Sequence, residues 1–256
     1  MTEESFKASA QKKLLAEDQS RLSKYSLLVL GRKSRMGLIK FELINLFFSW
    51  VPGALGLFLR GIFYPRLLGR VGRGVVFGQG VTLRHPHKIR IGDNTVIDDY
   101  VVLDAKGEDN DGISIGRNAY IGRNTILSCK EGSIHLDDYC NISANCMLLS
   151  ETEVRLGKYC FLAGNCYLVA GGNHSFRQAD VPIMFQPSYS KGGIRIGEDV
   201  WLGAGAIVLD GVEIGRGSVV GAGSVLTKPL PEFSIAMGSP ARRIRDRRNE
   251  ETKAKP

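Results

Sequence analysis

Four histidines occur in the 256 residues, and one stands where chemistry has room. His174 lies in Gly171-Gly172-Asn173-His174-Ser175-Phe176. The paired glycines let backbone and ligand approach closely, and imidazole is the side chain whose charge changes nearest neutral pH. His174 is therefore the candidate functional histidine. His85 and His87, in Arg-His-Pro-His-Lys, form either a metal pair or a solvated turn, and the turn is the plainer reading. His135 has no acid or histidine in evident company, and the spacing His-x4-His is absent. No Cys-x-x-Cys pair occurs among the five cysteines, so no structural zinc is expected.

What must position His174 is legible as a six-residue beat. An aliphatic or aromatic residue recurs in the triplets Val71, Phe77, Leu83; Ile91, Ile97, Leu103; Ile115, Ile121, Leu127; Leu136, Ile142, Leu148; and Leu156, Leu162, Leu168. The last run, Ile196, Leu202, Val208, Ile214, Val220, Leu226, is uninterrupted. A period of six fits neither a helix nor an alternating strand; it predicts a hexapeptide solenoid with three strands per triangular coil. The residue four places after each beat is small or β-branched (Thr95, Ala119, Thr125, Val200, Ala206, Ser218, Ser224), which suits a narrow prism. Cys140, Cys146, Cys160 and Cys166 share that position and read as small core residues, whereas Cys129 lies off it and reads as a surface thiol. Coils begin at 71, 91, 115, 136, 156, 196 and 214, so two insertions stand out, near 106–112 and 171–195. The longer one opens directly at His174. Seven coils at a strand spacing of roughly 4.8 Å give a prism on the order of 30 Å long.

The net charge of +8 points to an anionic partner. Three segments are expected: a helical cap over 1–70, the β-helix with its loop 171–195 over 71–230, and a C-terminal extension with a basic tail over 231–256. Residues 1–36 are polar and carry no cleavable signal pattern. Residues 37–68 are apolar and aromatic, are broken by Pro52-Gly53, and have basic residues on both sides. That pattern predicts two short helices lying against an anionic membrane surface, capping the open end of the solenoid, or both. Basic flanks on both sides argue against a single crossing. The C-terminal 16 residues are basic but lack the aromatic interleaving of a nucleic-acid reader, so no nucleic-acid partner is expected.

Three blocks carry a resemblance: Ile196-Gly-Glu-Asp-Val-Trp-Leu-Gly-Ala-Gly-Ala, Val220-Gly-Ala-Gly-Ser-Val-Leu-Thr-Lys, and Gly238-Ser-Pro-Ala-Arg-Arg-Ile-Arg, in that order after the Asn-His loop. Over about 71–245 the chain resembles the hexapeptide-repeat acyltransferases, in particular the sugar and polysaccharide O-acetyltransferases and the xenobiotic acetyltransferases. The resemblance implies a mainly β fold, a left-handed parallel β-helix of about seven coils, and a homotrimer with sites in the grooves between prisms. It implies acetyl-CoA as co-substrate, with no metal.

By the same resemblance His174 is the general base. Ala204 and Ala222 offer backbone groups to the pantetheine arm, Thr227 and Lys228 end the last hexad near a phosphate, and Arg242 and Arg245 meet the nucleotide phosphates. Asn145 matches loosely an acceptor-contacting Asn, and Asp180 would orient His174 or bind a hydroxyl. Trp201 is expected to pack the long loop onto the prism. The implied reaction is O-acetylation of a sugar or lipid-linked saccharide, and the membrane-leaning segment 37–68 points to a cytoplasmic protein, peripheral on the cytoplasmic face of the inner membrane. A small-molecule acetyltransferase (antibiotic, amino acid or nucleotide-sugar amine) and a scaffold without catalysis are the alternatives.

Overall fold

The computed structural model describes residues 20–249; the expectations for residues 1–19 and 250–256 lie outside the described residues. The beat is a parallel β-helix. Seven strands stack on the first face, from Arg70–Val71 to Glu213–Ile214, and seven on the third, from Thr82–Arg84 to Val225–Leu226. The second face carries eight parallel strands, from Val76–Phe77 to Ser234–Gly238, and is closed by the antiparallel strand Ala241–Asp246. Seven coils are thus complete, and Leu230, bridged to Ile214, opens an eighth. Residues 230–238 therefore continue the prism beyond 230.

Register follows the sequence period. Val71 pairs with Ile91, Ile91 with Ile115, Ile115 with Leu136, Leu136 with Leu156, Leu156 with Ile196, and Ile196 with Ile214. Within every coil, six residues separate the aligned positions of the first and second faces, and six more lead to the third. All extra chain therefore leaves at the corner between the third and first faces. The other two corners are tight turns with a residue in the left-handed region: Asn94 (φ +54°), Asn118 (+54°), Tyr139 (+62°) and Tyr159 (+60°) at the first–second corner, Asn145 (+60°) and Gly205 (+68°) at the second–third. Asn and Gly accept that conformation at low cost; the two tyrosines stack on one another, with ring centroids 5.1 Å apart.

The inward positions do more than fill space. Thr95 Oγ1 donates to Gly116 O at 2.8 Å and Thr125 Oγ1 to Ser143 O at 3.0 Å. Cys160 Sγ donates to Gly197 O at 3.0 Å and Cys146 Sγ to Ala163 O at 3.2 Å. Each small side chain thus satisfies a corner carbonyl of the next coil, which a buried acceptor requires. Cys129 corrects the expectation of a surface thiol: it is fully buried under the 105–112 loop, and its Sγ lies 3.5 Å from Gly112 O. That loop folds around Lys88, whose Nζ donates to Gly107 O, Glu108 O and Asn110 Oδ1 at 2.8–2.9 Å.

Among the described residues, three helices close the first coil. α1 (Arg21–Leu30) is capped by Ser20 and ends at Gly31 (φ +71°); α2 (Arg35–Phe48) is capped by Ser34; α3 (Gly53–Phe63) follows Pro52. Leu38, Phe41 and Ile44 of α2 point into the core, and Tyr64 meets Phe77 of the first coil edge-on at 5.5 Å. His85 is buried rather than solvated. Its backbone N–H donates to Val29 O (2.8 Å) and its ring Nε2 lies 3.0 Å from Leu27 O, so it fastens α1 to the prism. Among the described residues no helix is long and apolar enough to cross a membrane.

Candidate active site

The largest insertion leaves the third face after Ala170. Gly171 (φ +101°) and Gly172 (φ +72°) turn it outward, and a Cβ on Gly171 would meet Glu151 Cβ at 2.6 Å, so glycine is required there. The next two residues, Asn173–His174, pair antiparallel with Ser188–Tyr189, and Ser175 N donates to Pro187 O at 2.8 Å. His174 is thus on a short hairpin and solvent-exposed.

Two buried side chains hold this hairpin, and sequence reasoning assigned neither. Asp210, at the matching corner of the next coil, accepts from Asn173 Nδ2 (2.8 Å), Ser190 Oγ (3.1 Å), Lys191 N (2.5 Å) and Gly193 N (2.9 Å). One carboxylate therefore gathers both ends of the loop and the residue before His174. Gln186, almost wholly buried, donates to Gln178 O (2.7 Å) and Val181 O (2.9 Å) and accepts from Gln178 N (3.2 Å), which closes the distal half. The available signal for Asp210 was its Asp-Gly at the corner stacked beneath the insertion.

The remaining candidates divide between two edges of the prism. Asn145, Ala204 and Ala222 lie at the second–third corner. Asn145 Oδ1 accepts from Asn124 Nδ2 at 3.2 Å. A Cβ on Gly223 would meet nothing within 4 Å, so the strip beside Ala204 and Ala222 is open. His174, the exposed Asp180, Thr227 and Lys228 belong to the third–first edge. Thr227 follows Val225–Leu226, two coils past the strand that leads to His174, or about 10 Å along the axis. Arg242 and Arg245 sit in the closing hairpin of the second face, opposite Met237 and Ile235. Trp201 does not pack the long loop: it stacks on Phe161 of the second face, centroids 6.4 Å apart, beside Arg245. His135 does have acidic company, with Asp111 Oδ2 at 3.9 Å from Nε2.

A single chain therefore keeps His174 and the Ala204–Ala222 strip on separate edges, with the third face between them. That face is aliphatic and half-buried along Ile126, Met147, Leu149, Tyr167, Val169 and Leu209. The first face by contrast presents Arg90, Ser114, His135, Arg155, Arg195 and Glu213.

The architecture is a hexapeptide-coil β-helix with one long insertion, which carries His174. The bacterial transferase hexapeptide pattern (six repeats) matches residues 193–228, and the hexapeptide repeat of succinyl-transferase matches 112–150. A galactoside O-acetyltransferase of Lactococcus lactis is 33% identical over 141 residues, covering 52% of this chain and 63% of that one. A probable acetyltransferase of Mycobacterium tuberculosis is 31% identical over 135 residues, 53% of this chain and 44% of that one. The chain spans less than two thirds of the length of either relative. An N-acyltransferase from Bacillus cereus, solved with dTDP and 3-hydroxybutyryl-CoA, shares the fold: TM-score 0.51, 24% identity, 80% of this chain and 93% of that chain. These repeats and relatives liken the chain to the hexapeptide-repeat acyltransferases.

Proposed function

We propose that the protein transfers the acetyl group of acetyl-CoA to a hydroxyl of a sugar or lipid-linked saccharide, at the cytoplasmic face of a membrane. The observation that carries this reading is the Asn173–His174 hairpin, fixed by Asp210 at the one interrupted edge of a rigid prism. His174 takes the proton as the acceptor oxygen attacks the thioester carbonyl. The C–S bond breaks as the C–O bond forms, and the thiolate of CoA regains a proton from the imidazolium. No acyl-enzyme is required when both substrates are held together. Base catalysis of this kind is worth about 10²–10⁴-fold, and alignment supplies much of the rest.

The open strip at Gly205 and Gly223 suits a pantetheine arm running past the backbone of Ala204 and Ala222. Thr227 with Lys228, and Arg242 with Arg245, are the polar and cationic groups for its phosphates. Asn145 and Asp180 are the acceptor-side candidates. Because the base and the strip lie on separate edges, the complete site forms between copies, which supports a homotrimer joined across the aliphatic third face. The likeness to a galactoside O-acetyltransferase supports a hydroxyl acceptor.

Free-CoA release across sugars, lipid-linked saccharides and amines tests the reading. Turnover of a saccharide hydroxyl, lost in His174→Ala with acetyl-CoA binding retained, is the expected result. Full activity of that variant would remove the base; turnover of amines alone would replace the acceptor class.

A further inference from the structure

α3 is turned inside out for a helix facing water. Its one charged residue, Arg60, is buried: Nε donates to Phe77 O at 3.0 Å and Nη1 to Val51 O at 2.7 Å and Phe48 O at 3.2 Å. The guanidinium thereby staples the end of α2, the α2–α3 turn and the first coil together. The other side of α3 exposes Leu55 (63%), Phe58 (62%) and Ile62. α2 continues the same surface with Met36 (77%), Ile39, Leu43, Leu46 and Phe47, and Trp50 (64%) stands in the turn between them. An outward surface of this composition far exceeds the scattered apolar residues of an ordinary protein exterior.

Charge names the occupant. Glu42 is the only carboxylate between Ser20 and Gly92, and its Oε1 is engaged by Tyr25 OH at 2.7 Å. Exposed cations surround the apolar surface: Arg35 at the start of α2, Lys40 within it, and Arg66 and Arg70 just past α3. Lys40 Nζ donates to Arg66 O at 2.6 Å, bringing those two cations to one border. Two copies meeting through this surface would oppose like charges with little to offset them. A bilayer surface with anionic headgroups takes both parts at once, apolar side chains below the headgroup level and cations at it.

We infer that the outward surface of α2 and α3 is a membrane-docking face, which seats the prism on anionic phospholipid with its axis rising from the bilayer. Both helices are too short to cross, and Arg60 holds them flat against the first coil, so the face lies in the interface rather than spanning it. The membrane placement proposed above rests on this face, but no step of the transfer reaction does; binding is read without substrate, so docking and chemistry can fail separately.

The test is co-sedimentation of the full chain with phosphatidylcholine vesicles, with and without phosphatidylglycerol. The expected result is partition at least about ten-fold higher onto the anionic vesicles, reversed by high salt, as apolar insertion with electrostatic attraction requires. Trp50 emission shifts to the blue in a Trp201→Phe background. Phe58→Glu and Leu46→Glu, two outward residues on separate helices, each reduce partition about ten-fold with the β-helix circular dichroism unchanged. The inference is overturned if the chain stays in the supernatant, if neutral vesicles bind it equally, or if both glutamate variants bind as before. It is also overturned if those variants instead dissociate a solution oligomer, which would make the surface a protein interface.

Discussion

Asn173 and Asp210 are joined by a hydrogen bond of 2.8 Å between residues 37 positions apart, and that bond ties the loop carrying the candidate base to the uninterrupted coil below it. The same carboxylate takes Lys191 N and Gly193 N from the returning end of the loop. Hairpin and prism are thereby one rigid unit at the point where an imidazole must be aimed.

Asp210→Ala leaves these donors without their acceptor, at about 1–3 kcal/mol for each one that stays buried. The expected outcome is a kcat reduced by ten-fold or more at nearly unchanged acetyl-CoA affinity, since the coil strip is remote from the clamp. Asp210→Asn, which keeps one acceptor oxygen, should recover part of the loss. Steady-state kinetics with a separate CoA titration check both; an active Asp210→Ala would show that His174 is positioned by other contacts.

The third face predicts self-association. Leu149→Lys and Val169→Lys put a charge on an outward position between neighbouring strands without touching the inward core. Light scattering should show the parent chain as a trimer and both variants as folded monomers without transferase activity. A fully active monomer would mean that one chain holds a complete site.

His85 makes the cap sensitive to acid. Burial lowers its pKa below the ordinary 6.5, opposed by its bond to Leu27 O and by the Asp104 carboxylate and assisted by His87 and Lys88. Among the described residues its buried Nδ1 has no hydrogen-bond partner, and a Cβ on Gly31 would lie only 2.7 Å from that atom. As pH falls below about 6.5 the unfolded chain takes up a proton that the folded chain refuses, so stability falls with it. Hydrogen exchange should show residues 27–31 losing protection between about pH 6.5 and 5 before the coils do, and His85→Gln should flatten that dependence.

The five cysteines are all buried and free. Ellman's reagent should therefore label none in the native chain and five after denaturation. Burial holds the Cys129 thiol up at about 12, against 9.0 for the unperturbed group. The unfolded chain thus loses its proton first as pH rises, and stability declines from pH 9 toward 12, by something on the order of 4 kcal/mol at full extent. A flat melting temperature across that window would remove the contribution.

The period of six in Ile196, Leu202, Val208 and their fellows determined the β-helix, its register and its coil starts, because an inward residue has one place to go in so narrow a prism. The same spacing located the insertion beside His174 and the inward cysteines. Contacts between residues far apart in sequence were decided only in three dimensions. The Asp210 clamp depends on which corner of the next coil lies beneath the loop. The burial of Cys129 depends on a loop folded around Lys88, and that of His85 on α1 laid over the first coil. The inward turn of Arg60 was equally illegible, since local composition shows that a helix is apolar and basic but not which side faces the prism. A repeat fixes what stacks on its neighbour; insertions and caps have no period, and only packing settles where they rest.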